Sequence, residues 1–464
     1  MPGSLPARAT FGSIIGCVYA SPVPAPSLNL TAHPLGMAAL LLFVLAYALV
    51  VAEERIGLRK SKPVMLAAAA IWGLIAWYGA TTPGVGADFA ADAFRHIFLE
   101  FAELFFFLIV AMSFVAAMTE RNVFESLRAQ LVTRGFGYRQ LFWITGVVSF
   151  FLSSVLDNLT TALIMSAVIL AVGAGNQRFI TLGLINLVVA ANAGGAWCAF
   201  GDITTLMVWQ AHRVEFFEFF RIFLPSLVNW LVPALCMHFA LPQGSPAPGR
   251  DDADVKYGGW LVCGLFAVTI AMTVSAKQFL HLPPVFGMMA GLGLLNLQGY
   301  FIRWHELAEG EEHGDGYNVF DLIARAEWDT LLFFYGVLLC VGGLATMGFL
   351  HIASASLYGQ LGPTSANVIL GLASAIVDNI PIMYAVLQMN PAMDHGQWLL
   401  ITLTAGVGGS LLSVGSAAGV ALMGVSRGAY TFFGHLRWTW AIALGYAASI
   451  LVHLWLNARH FSGG

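Results

Sequence analysis

Long apolar runs separated by short polar connections make up most of the chain. A membrane-crossing helix needs about 20 mostly apolar residues. Runs at 35–52, 64–80, 97–118, 222–240, 259–276, 283–300, 330–350 and 438–457 predict continuous spans. Runs at 180–212 and 398–427 are long enough to cross, but glycines and polar residues interrupt them. Two further runs, 141–174 and 364–389, are broken near the middle by Asp-Asn, in "SSVLDNLTTALIM" and "SAIVDNIPIMYAV". The long polar connections are 241–258, read as a linker, and 303–329, read as an acidic loop. The pattern predicts an all-α polytopic membrane protein.

Composition agrees. Of 464 residues, 58% are hydrophobic and 10% charged, against about 25% charged in a soluble domain. Lys and Arg are sparse and form no stripe, which excludes a nucleic-acid partner and leaves the lipid bilayer. The five cysteines lie singly in apolar stretches without metal-ligand or disulfide spacing, so they read as small buried hydrophobes. Residues 1–34 form an amino-terminal segment that loosely resembles a secretory signal.

Charge placement gives a topology. If 141–174 and 364–389 are re-entrant hairpins, the connections 53–63, 119–140, 175–179, 241–258, 301–329 and 427–437 share one face. That face holds 15 of the 21 Lys and Arg, so the positive-inside rule makes it cytoplasmic and puts the amino terminus outside. Residues 35–240 and 259–457 then form two repeats, joined by the cytoplasmic linker 241–258 and followed by a short tail, 458–464. Each repeat has five crossings, a re-entrant hairpin and a broken helix, and an odd number of crossings inverts the second relative to the first. "NAGGAWCAFGDITT" (192–205) aligns with "VGGSLLSVGSAAG" (407–419), and "ELFFFLIVAMSFVAAMTE" (103–120) with "DTLLFFYGVLLCVGGLAT" (329–346). Inverted repeats with broken helices are a signature of secondary transporters with a midplane site.

Chemistry concentrates at the breaks. Backbone groups there lose their intrahelical partners and can coordinate an ion. Asp157, Asp202 and Asp378 add charge, and a charge at that depth is costly enough to mark a transport pathway. The bland alternative makes the aspartates helix caps and nothing more. Asn158, Thr160, Thr161, Asn192, Thr204, Thr205, Ser374, Asn379, Ser413 and Ser416 supply neutral oxygens. Thr204 and Thr205 could instead bond back to their own helix. Asp202 and Thr204 have Ser416 and Ala418 as counterparts, so sodium is expected at Asp157, Asp202, Thr204 and Thr205. His96, Glu100 and Glu103 share one helix face and suggest a proton path, with Glu103 deepest.

The four break segments also resemble the signature segments of NhaD-type sodium/proton antiporters, within the ion transporter superfamily. The similarity covers roughly residues 35–457. It implies a multi-pass protein of the bacterial inner membrane that exchanges Na+, often Li+, for H+ without a cofactor, in pH homeostasis. Superfamily analogy implies a homodimer. A dicarboxylate or other anion symporter on the same scaffold should show serines and threonines at the hairpin tips or a buried cation, whereas the tips here carry aspartates and no Lys or Arg falls within the core of the predicted spans. An intramembrane aspartyl protease would need Gly where Ala199 stands. The reading is therefore a transporter rather than an enzyme.

Overall fold

The computed structural model describes residues 28–86, 88–173, 176–245, 253–308, 318–426 and 428–461. The signal-like stretch lies outside them up to residue 27. Among the described residues the regular elements are all helical, and nine helices are long and apolar enough to cross a membrane. The tenth expected crossing is the second broken span, whose two pieces are each too short to be counted alone.

The first half runs α1 (Pro34–Val51), α2 (Ser61–Thr81), α3 (Phe89–Glu120) and a connecting helix α4 (Val123–Thr133). A hairpin follows, α5 (Tyr138–Leu152) and α6 (Asn158–Val172). The broken span is α7 (Gln177–Ala196) with α8 (Ile203–Gln210), and α9 (Phe223–His238) closes the half. The second half repeats this order with α10 (Gly259–Leu280), α11 (Pro284–Ala308), α12 (Trp328–Thr346) and the connecting helix α13 (Phe349–Leu361). Its hairpin is α14 (Pro363–Ala373) and α15 (Asn379–Met389). The broken span α16 (His395–Gly408) and α17 (Ala417–Val425) precedes the last span, α18 (Thr439–Leu456).

Packing directions test the hairpins. Asn186 on α7 bonds the Phe142 carbonyl of α5 at 2.9 Å, and Ser153 bonds the Ala191 carbonyl at 2.7 Å. Contacts that advance together on both helices mean that α5 and α7 run parallel. The returning arm α6 therefore brings the chain back to the face it left. The second hairpin does the same: Asn367 bonds the Gln397 carbonyl at 3.0 Å and Ser374 bonds the Ala405 carbonyl at 3.0 Å. Both hairpins are re-entrant.

Equivalent helices of the two halves pack head to tail, as inversion requires. Phe101 meets Tyr335 with ring centroids 5.2 Å apart, and Phe105 meets Trp328 at 6.2 Å, so α3 and α12 are antiparallel. Asn457 bonds the Arg221 carbonyl at 3.2 Å while Gly445 packs on Asn229, so α9 and α18 are antiparallel too. The broken spans occupy the centre. Every residue from Leu182 to Ala196 of α7 is buried, as is every residue from Gly396 to Gly408 of α16, the property of helices surrounded by protein rather than by lipid.

Paired glycines let the breaks approach their hairpins. A Cβ on Gly194 would sit 2.1 Å from the Phe150 carbonyl oxygen, and one on Gly408 would sit 2.0 Å from that of Gly371. Gly195 faces Gly201, and Gly409 faces Gly415, with hypothetical Cβ contacts of 2.7 Å to the facing carbonyl oxygens. A methyl group cannot enter without moving backbone. We predict that Gly194→Ala and Gly408→Ala each lower the amount of folded protein in membranes, read by fluorescence-detected size exclusion of a tagged chain. Wild-type yield and profile for both would contradict the close-packed breaks. For topology, cysteines at Asp254 and Ala392 should react with an impermeant maleimide from opposite sides of the membrane. Labelling of both from one side would contradict the hairpins.

Candidate functional site

Four helices begin in the middle of the protein rather than at its faces: α6, α8, α15 and α17. Their N-cap residues are Asp157, Asp202, Asp378 and Ser416. Helix starts leave backbone N–H groups without intrahelical partners, and each end carries the equivalent of roughly half a positive charge. An acidic cap suits both demands. Asp157 accepts from the Thr160 N–H at 2.9 Å and from its hydroxyl at 2.6 Å. Asp202 accepts from the Thr204 N–H at 3.1 Å. Asp378 makes no side-chain capping bond, so its carboxylate is the least committed to its helix.

The two halves do not build separate sites. Asn379 of the second hairpin donates to Asp202 Oδ2 at 2.9 Å, and Asn158 of the first donates to the same oxygen at 3.3 Å. Asn158 also donates to Asn192 Oδ1 at 2.9 Å. Asn192 then donates across the pseudo-twofold to Ser410 Oγ at 2.9 Å and Ser416 Oγ at 3.0 Å. Asp202 is thus shared by both hairpin tips. The expected grouping of Asp157 with Asp202 against a separate Asp378 gives way to one cluster, because the antiparallel halves bring both tips to the same depth.

Asp157, Asn158, Thr160, Asp202, Asp378 and Asn379 line one cavity. Its walls come from α3 (Phe107 to Val115) and α12 (Thr330 and Phe334), and Lys60 and Glu327 reach it from the connections before α2 and α12. It therefore opens toward the Lys- and Arg-rich face. On the other side of the cluster, Glu100 on α3 accepts from Tyr384 at 2.9 Å and from Gln388 at 3.1 Å on α15. His96 lies 3.6 Å from Glu100 and is exposed. Of the three residues on the expected proton path, Glu100 bonds the hairpin arm α15.

The neutral oxygens divide into two groups. The Thr161, Thr204 and Ser413 hydroxyls are buried with no hydrogen-bond partner, which leaves them free to coordinate. Thr205 and Ser374 are committed. The Thr205 hydroxyl accepts from the Asp202 N–H at 3.2 Å and donates to the Asp202 carbonyl at 2.7 Å, completing a capping box. Ser374 ties its hairpin to α16 as Ser153 ties the first to α7. Both expected ligands hold the break open in this state.

Sequence reasoning missed four contributors. Ser410 lay inside an aligned segment but had no acidic neighbour to draw notice. Lys60 belongs to a connection and counted only as topological charge, and Glu327 was read as part of the acidic loop 303–329. Lys277 was placed past the end of a span at 276, but α10 continues to Leu280 and Lys277 is buried within it. Lys277 sits in the last turn of α10, so the core of that span still carries no Lys or Arg. The absence of Gly at 199 stands, with Ala199 fully buried beside the break.

Comparison with known proteins follows this geometry. A family described as "Citrate transporter" matches residues 37–406. The chain is 51% identical to the Na(+)/H(+) antiporter NhaD of Alkalimonas amylolytica, covering 99% of each protein. It is 50% identical to the NhaD of Vibrio cholerae over 94% of this chain and 95% of that one. It is 33% identical to sodium/proton antiporter 1 of Arabidopsis thaliana over 91% of this chain and 72% of the relative. With close identity over nearly the whole length, and with the hairpin and break segments forming one site, the chain belongs to the NhaD-type antiporters within the citrate-transporter family.

Proposed function

We propose that the protein exchanges cytoplasmic Na+ for external H+ by alternating access, with one cluster of buried carboxylates serving both ions. The observation that carries this reading is the sharing of Asp202 by the tip amides Asn158 and Asn379, with Asp157 and Asp378 in the same cavity. Four helix ends supply roughly two positive charge equivalents against three carboxylates, leaving a deficit of about one unit charge. One sodium ion or one proton removes it. A carboxylate holding a proton has lost the charge that attracts sodium, so loading one ion releases the other.

Citrate is a poor fit. A multivalent anion needs cationic or hydroxyl donors at its carboxylates. The cavity offers Lys60 against Asp157, Asp202, Asp378 and Glu327. Sodium instead takes hard oxygens, and Asp157, Asn158, Thr160, Asp202, Asp378 and Asn379 bring them to one cavity. The same oxygens suit Li+. The family resemblance and the Lys and Arg bias favour a bacterial inner-membrane location, with the cavity facing the cytoplasm and the amino terminus outside. A homodimer is the assembly we infer by superfamily analogy.

Asp157→Asn and Asp378→Asn keep shape and remove the titratable charge. Each should lower sodium-dependent proton movement in inverted vesicles by about tenfold or more. Near-parental flux in either variant would remove that aspartate from coupling. The two halves also differ in their break residues, and the asymmetry is testable. Asp202→Asn should raise the apparent KM for sodium by about tenfold or more, while Ser416→Ala, which loses a neutral acceptor of Asn192, should change it by much less. Equal effects would mean that Asp202 is not the central ligand.

A further inference from the structure

Lys277 is a charge that ion exchange at the carboxylates leaves unused. It lies near the end of α10 and is 6% exposed. Its Nζ donates to the Trp209 carbonyl and stands 4.5 Å from the centroid of the Trp209 ring. Trp209 is the penultimate residue of α8, the short helix capped at its other end by Asp202. A buried lysine is costly unless its charge is compensated. Two contacts favour its charge here: a carbonyl at a helix C-terminus, where a cation is favoured, and the face of an indole.

The contact joins two bodies. α10 packs with α11 and α3 in the outer set of long helices, whereas α8 packs with α15 and α16 in the site-bearing set. Because α8 spans only Ile203–Gln210, a grip on its end is a grip on Asp202. Glu100 makes a second grip on α15 through Tyr384 and Gln388. Both grips lie on the side of the cluster away from the cavity. Moving the site toward that side would have to break the Lys277 contact, since a lysine anchored on α10 cannot follow a carbonyl on α8.

We propose that Lys277 is a latch: it holds the site-bearing helices in the position whose cavity opens to the Lys- and Arg-rich face, and it releases α8 when the site turns to the other face. Lys277 touches neither ion, so it is a positioning residue. The inference rests on the alternating-access reading, and its test measures site exposure rather than flux.

The probe is a cysteine at Leu159, a cavity-lining position on the first hairpin, in a chain whose five native cysteines are replaced. An impermeant maleimide is applied to inverted and to right-side-out vesicles, and the ratio of the two labelling rates is read. Lys277→Met keeps the apolar stem and removes the charge. The latch predicts a shift of that ratio toward the opposite face by about tenfold, the size implied by a charged hydrogen bond. Lys277→Arg, which keeps a charged donor, should stay near the parent. If Lys277→Met does not accumulate in the membrane, Lys277→Gln gives the same readout. A parental ratio in whichever neutral variant accumulates overturns the latch. A parent lacking sodium-dependent proton flux would sink the exchange reading and still leave this ratio interpretable.

Discussion

Everything in the site depends on holding three helix starts, those of α6, α8 and α15, around one carboxylate. Asp202 does this by accepting from Asn158 and Asn379 on one oxygen and from its own helix on the other. The arrangement is possible only where backbone meets backbone, which is why the glycines at 194, 201, 408 and 415 stand beside carbonyl oxygens that a side chain would strike. A carboxylate that both hairpins hold cannot change its occupancy without both hairpins sensing it. In the proposed exchange this is how one ion would be coupled to another without a second site.

The same geometry removes the choice between capping and transport. Each aspartate sits at a helix start and meets a favourable dipole, and the side-chain caps of Asp157 and Asp202 contribute about 1 kcal/mol apiece. This explains how the chain tolerates carboxylates at such depth without a salt bridge. In the proposed exchange the cap is also the ion site. Loading an ion onto Asp202 or Asp157 would change the electrostatics at the start of α8 or α6, so these helix starts would both bind the ion and respond to it. The scaffold side is different in kind. Long helices such as α10 and α11 bury only part of their surface, and they meet the site-bearing helices through few polar contacts.

Much of this was legible in the sequence, and the part that was not has a common cause. Asp-Asn pairs inside apolar runs, paired glycines at matched spacing and the Lys and Arg bias all report on backbone demands that act locally, so the hairpins and breaks could be read from them. Contacts between halves left no local mark. Nothing in "VGGSLLSVGSAAG" says that Ser410 will accept from Asn192, because that contact depends on how the antiparallel halves dock. Lys277 was misplaced because hydropathy falls at a lysine whether or not the helix ends there. Glu100 and Glu103 share a helix face, and only the position of Tyr384 on α15 decides which of them is engaged. The hydroxyls were the least legible. Thr204 and Thr205 are neighbours of one type, yet one completes the cap and the other is left without a partner.

If sodium and protons occupy the same carboxylates, sodium binding must release protons. Purified protein in weakly buffered detergent solution would be titrated with sodium while pH is recorded, with no gradient and no transport. Sodium should expel protons from the protein over the pH range in which the site is protonated when empty, and Asp202→Asn should reduce the release. Saturable sodium binding with no proton release across that range would contradict shared occupancy and require separate sites for the two ions.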